Sequence, residues 1–203
     1  MKAFLTTTAL VLALGGVAAA ETRPLSGFTS VSASAGTQVE VATGERFVVE
    51  VTGRDANRIT TRVVANELRI GRQNTWGFSL GTNAVVHVTM PRVEGLDASS
   101  GAHIRAASLQ ADHLNLGASS GGGLTVAGAC HAVSADASSG ANLNAARLQC
   151  ERGSVEASSG ARAEVNVTGA LDVDASSGGD VYAGGGAQIG NISLSSGGNL
   201  HRR

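Results

Sequence analysis

From about residue 95 onward the apolar side chains alternate with polar ones in short runs, and the runs themselves return at a fixed longer interval. Just before each return stand Leu96, Leu116, Ala135, Val155, Val173 and Ile192. Two residues on come Ala98, Ala118, Ala137, Ala157, Ala175 and Leu194, on the same side of an extended strand. A third column holds Ile104, Leu124, Leu143, Ala163, Val181 and Leu200. Helical periodicity is absent, so this half predicts short strands only. The columns keep phase with a six-residue motif: DASSGA from Asp97, GASSGG from Gly117, DASSGA from Asp136, EASSGA from Glu156, DASSGG from Asp174 and SLSSGG from Ser193. Successive starts lie 20, 19, 20, 18 and 19 residues apart.

An interval of that size with strands of three to five residues fits one coil of a single-stranded parallel β-solenoid, or β-helix. Every coil must return to a point about 4.8 Å above its start, which stacks like residues on like. Ser-Ser-Gly is the corner, where Gly takes a backbone conformation closed to other residues and the Ser hydroxyls bond along the stack. The expected architecture is all-β: a solenoid over residues 95–203, with five to six coils and a rod roughly 25 Å long, continuous with a less regular β part over 21–94. In that part residues 28–33, 37–42, 46–52, 57–64, 67–70 and 84–90 read as strands, with a polar loop at 71–83.

Composition supports a thin core. The chain has 203 residues with 28 Gly, 2 Pro and 3% aromatic residues, so its interior is built from Ala, Val, Leu and Ile. A hydrophobic fraction of 42% excludes a wholly disordered chain. Residues 1–20 read as a cleavable signal: Lys2, an apolar run too short to span a bilayer, then small residues at Ala18 and Ala20. Cleavage near Ala20 predicts a periplasmic or extracellular protein with no membrane insertion afterwards. It also removes the only Lys, leaving 14 Arg against 16 acids, a net charge of 14 − 16 = −2. No basic stripe points to nucleic acid.

Cys130 and Cys150 both lie six residues before the next motif, at Asp136 and Glu156. Stacking brings their α-carbons about one strand spacing apart, within disulfide range, and an exported chain with an even Cys count oxidises. The expectation is a disulfide. Tetrahedral zinc needs more such ligands than stand nearby.

The order of elements is itself informative: Gly27-Phe28, then Gly44 to Gly53 with its Phe-Val-Val-Glu-Val core, Leu68-Arg-Ile70, Val86-His-Val-Thr-Met-Pro91, and the Ser-Gly-Ala repeats. On these residues the chain resembles the bacterial auto-transporter adhesin head family, the head GIN domain, from about Pro24 to Leu200. The resemblance implies an exported β-helical domain, with adhesion suggested mainly by name, and supplies no catalytic residues. Nothing here resembles an outer-membrane barrel with its strands of about ten residues and aromatic girdles, so self-transport is not implied.

Candidate chemistry is sparse. Gly117 to Gly121 matches a nucleophile elbow, but the segment recurs five times without a following helix, so no catalytic residue is assigned. The column Asp97, Asp136, Glu156 and Asp174 has three readings: a solvated face, a weak Ca²⁺ site, or a carboxylate pair acting on a glycan. Histidines 87, 103, 113, 131 and 201 fall at different phases and read as surface residues; Gly184 to Gly186 has no helix to make it a phosphate loop. Trp76 and Phe78 sit together in the polar loop, either as a binding patch or as a plug for one end of the solenoid. The favoured function is a non-enzymatic binding or adhesion-like module for a cell-envelope glycan or protein, without cofactor. The alternatives are a polysaccharide-acting enzyme using Asp136, Glu156 or Asp174, and a structural envelope protein. The last coil, from residue 192, is expected to self-associate, with Arg202 and Arg203 as charged guards of its edge.

Overall fold

The computed structural model describes residues 20–73 and 83–203. Its strands are β1 Glu21–Thr22, β2 Ser30–Ala33, β3 Gln38–Thr43, β4 Val48–Gly53, β5 Ile59–Val64, β6 Glu67–Arg72, β7 Ala84–Met90 and β8 Gly95–Ala98. Then come β9 His103–Ala118, β10 Gly123–Ala137, β11 Asn142–Ala157, β12 Arg162–Val167, β13 Ala170–Ala175, β14 Asp180–Gly184, β15 Gln188–Leu194 and β16 Asn199–Arg202. Among the described residues the only helical element is a 3-10 turn at Ala56–Arg58. It replaces the start of the strand expected from residue 57.

The repeat folds as its spacing requires. One face of the rod stacks β3, β9, β10, β11, β12, β14 and β16 in parallel, and a second stacks β2, β8, the later halves of β9, β10 and β11, then β13 and β15. The three apolar columns pair in register, as in Leu116 with Ala135, Ala135 with Val155, and Leu124 with Leu143. Leu116, Leu124, Leu143, Val155 and Val181 are all buried. Burying each such side chain is worth roughly 1.5–3 kcal/mol. Unequal coil lengths are absorbed on the third side: between Ala145 and Gln149 the register of β11 on β12 jumps, because the shorter coil omits residues there.

The corners are tied differently from the expectation. Ser100, Ser120, Ser139, Ser159, Ser177 and Ser196 have positive φ, as does the Gly after each. The N–H of Ala141 donates back to the Ser138 carbonyl, which with two positive φ values is the type I′ pattern. Neighbouring corners are joined by backbone: Gly121 N–H donates to the Ser139 carbonyl and Gly140 N–H to that of Ser159, each at 3.1 Å. These bonds do along the stack what hydroxyl bonds were expected to do.

The N-terminal part contains coils of its own. Ser34-Ala35-Gly36 is a further corner, with φ of 58° and 69° at Ala35 and Gly36, and the Gly36 N–H donates to the Ser100 carbonyl. Strands β2 and β3 therefore form a coil directly beneath β8 and β9. Beyond it lie β6 on β2 and β7 on β3, both parallel, so the chain leaves β3, builds the outer layer, and returns past β2–β3 to enter β8. That outer layer is closed by antiparallel strands, β4 on β7 and β5 on β6, with β1 on β4. Val49, Val51 and Ile59 are buried there, and Phe28 meets Phe47 at 4.9 Å between ring centroids. The cap at this end includes an antiparallel hairpin.

Candidate functional site

The acidic column forms in register. Asp136 stands opposite Glu156, Glu156 opposite Asp174, and Asp174 opposite Ser193. All three acids are exposed. They line a shallow groove of about 420 Å³ together with Asp172 and Asn191, and the Asn191 backbone N–H donates to Asp172 at 2.7 Å. Because the strands are parallel and in register, these carboxylates leave the same face in the same direction. Cleaving a glycosidic bond needs one carboxyl on each side of the reacting carbon, an arrangement that neighbours in one column do not provide. Among the described residues no group of three or more His, Cys, Asp or Glu is placed to hold a metal ion.

Where the column is interrupted, its chemistry changes. Gly117 lies between Asp97 and Asp136, and a Cβ at Gly117 would stand 2.3 Å from Asp97 Oδ2. The Asp97 carboxylate thus rests over the glycine in a groove of about 290 Å³ lined also by Glu67, Asn115 and Asp136. Burial, and then the nearby Glu67 charge, raise the Asp97 carboxyl above its ordinary 3.8. Neighbouring coils take solvent from one side of Asp136, and this desolvation raises its carboxyl too.

Cys130 and Cys150 form the expected disulfide, with α-carbons 4.5 Å apart. Trp76 and Phe78 lie outside the described residues.

Sequence phase missed how the histidines are used. His131 sits one coil from both Asp112 and Glu151, with Nδ1 at 3.0 Å from Glu151 Oε1. His87 Nδ1 is 3.1 Å from Glu40. His201 approaches Asp180 at 3.6 Å and stacks on Tyr182 at 4.5 Å, while the Arg162 guanidinium covers the same ring at 3.7 Å. Coil-to-coil register, not spacing within one segment, brings these groups together. Arg202 and Arg203 do not stand guard at the edge. Arg202 donates to the Ala187 carbonyl at 3.0 Å and Arg203 bonds Glu164, so both fold back onto the rod.

Solved structures share this fold. A "putative adhesin" from Bacteroides fragilis superposes with a TM-score of 0.70 at 14% identity, over 91% of this chain and 96% of that one. A "putative lipid binding protein" from Parabacteroides distasonis gives 0.53 at 15% identity, over 93% and 98%. A "putative adhesin" from Parabacteroides merdae gives 0.53 at 12%, over 93% and 97%. No curated protein matches. At these identities the likeness establishes the fold alone. Residues 27–187 match the family model described as "Putative auto-transporter adhesin, head GIN domain", the greater part of the chain, and the protein belongs to that family.

Proposed function

We propose that this protein is an exported, non-enzymatic binding module that engages a glycan or protein of the cell envelope. It acts in the periplasm or outside the cell after cleavage near Ala20. The observation that carries the reading is the set of outward ladders. Polar side chains of successive coils stand in register on faces whose backbone groups are already bonded to neighbours, so the rod offers a stiff, repeating surface. Such a surface meets an extended partner at many points with little to order on binding. Family membership supports adhesion-like binding, and the single-sided acidic column weighs against hydrolysis. The same proposal includes self-association through β15 and β16.

Incubating the purified protein with a glycan panel and with cell-envelope proteins tests it, with bound glycan, bound protein and new reducing ends all read. Retention without new reducing ends is the expected result. Reducing ends that appear with wild type and vanish in Glu156→Gln would replace the module with an enzyme, and no retention of any glycan or envelope protein would leave a structural role in its place.

A further inference from the structure

We infer that the groove between Arg105 and Arg147 is a binding site for a carboxylate-bearing saccharide. The inference rests on the binding-module reading and assigns it a place and a ligand class. Arg105, on β9, and Arg147, on β11, are both exposed and line one groove of about 470 Å³. Some guanidinium groups elsewhere on the rod meet carboxylates, Arg23 with Glu21, Arg69 with Glu67, Arg92 with Glu94 and Arg203 with Glu164, but only Arg105 and Arg147 share this groove. Arg105 faces Glu40 in register, but Glu40 is engaged from its other side by His87 at 3.1 Å. Among the described residues neither Arg105 nor Arg147 has an ionic or hydrogen-bond partner. Two unpartnered guanidinium groups aimed at one groove fit an anion, and a carboxylate accepts from such a fork in bidentate fashion.

The rest of the lining selects the carrier of that anion. Ala42, Ala107 and Ala127 contribute methyl groups, and Thr125, in register with Arg105, contributes a hydroxyl. An apolar surface beside a hydroxyl suits the flat carbon face and hydroxyl rim of a sugar ring. A peptide strand finds no purchase, because β3, β9, β10 and β11 are each paired on both sides and expose no backbone edge. The groove is also polarised. The acid-bearing ring belongs at the Arg end, and a neutral ring at the Glu40–His87 end, where Glu40 accepts from sugar hydroxyls and repels a second acid.

Titration calorimetry on the full chain tests this with hexagalacturonic acid and its methyl ester. The variants are R105A/R147A and R46A/R152A, the second removing the same charge from other exposed positions, with thermal melts to check that each folds. Wild type and R46A/R152A are expected to bind the acid at least tenfold tighter than the ester, and R105A/R147A to lose that preference. Equal affinity for acid and ester, or a preference that survives in R105A/R147A, overturns the site while leaving the binding-module reading in place. Equally tight binding of poly-glutamate overturns the saccharide assignment in favour of an acidic peptide. Failure of every saccharide in the panel to bind overturns the site and leaves the binding module with a protein partner only.

Discussion

Cys130 and Cys150 face each other across adjacent coils, paired in register and joined by a disulfide that closes one 20-residue turn of the rod. A solenoid coil touches only its neighbours, so a local loss of pairing separates the stack at one layer. The disulfide ties two layers at mid-rod and constrains the unfolded chain. Replacing both cysteines by Ala is expected to lower unfolding stability by about 3 kcal/mol. Denaturant titration of the oxidised wild type and the double variant measures it; coincident curves would show that the bond contributes nothing to the folded rod.

Asp97 is held over Gly117 with its carboxyl raised, first by burial and then by Glu67. An acid whose native value exceeds its unfolded one holds its proton more tightly in the native state, so its contribution to stability falls as pH rises from about the ordinary 3.8 through the raised value. Above that window the cost of the buried charge is fully present. Asp97→Asn is therefore expected to stabilise the protein at neutral pH, and the advantage to shrink as pH falls toward 3.8. Melting temperatures of wild type and variant across pH 3 to 8 check it. An advantage that grows toward acid would reverse the sign.

The coil was legible because solenoid stacking turns three-dimensional adjacency into linear spacing: Asp136 and Glu156 meet because they occupy the same place in successive repeats. The same logic exposed the Cys130–Cys150 pair. It failed at Ser34-Ala35-Gly36, where Ala replaces the second Ser and the next coil along the chain is not the next in space. The excursion through β4 to β7 breaks the link between sequence order and stacking order. It failed also for His131, Arg105 and Arg147, whose partners or vacancies depend on the register across the uneven third side. Local propensity found the strands of the N-terminal part but said nothing about which of them stack.

Corner chemistry gives a test with a built-in contrast. At Gly140 a Cβ would meet nothing within 4 Å, so only the backbone, at φ 67°, opposes a side chain. Left-handed backbone costs an L-residue about 1–2 kcal/mol. Gly140→Ala is expected to destabilise by that amount, whereas Gly140→Asn, which tolerates the conformation better, costs less. Thermal or urea melts of the two variants decide it. Equal losses would mean that something other than φ governs the corner.

Strand β15 carries the two most exposed large hydrophobic side chains among the described residues. Ile192 and Leu194 continue the inward columns, opposite Val173 and Ala175, yet are 53% and 47% exposed. Edge strands ordinarily avoid pairing by displaying charge or proline. Between residues 181 and 200 there is no Asp, Glu, Lys, Arg or Pro, and Arg202 and Arg203 are turned back onto Ala187 and Glu164. At the other end the outer strands β4 and β5 run antiparallel to their neighbours, so that end does not present the parallel stack that a further coil continues. In the proposed self-association a second copy's β15, running antiparallel, pairs along this edge and covers both apolar side chains. Sedimentation velocity over a hundredfold range of concentration is expected to show reversible dimers. Ile192→Lys places a charge on the apolar patch and Asn191→Lys places one on the polar side of the same strand, and each is expected to shift the protein to monomer. Dimers indifferent to both changes, or wild type that stays monomeric throughout, would remove β15 from any role in assembly.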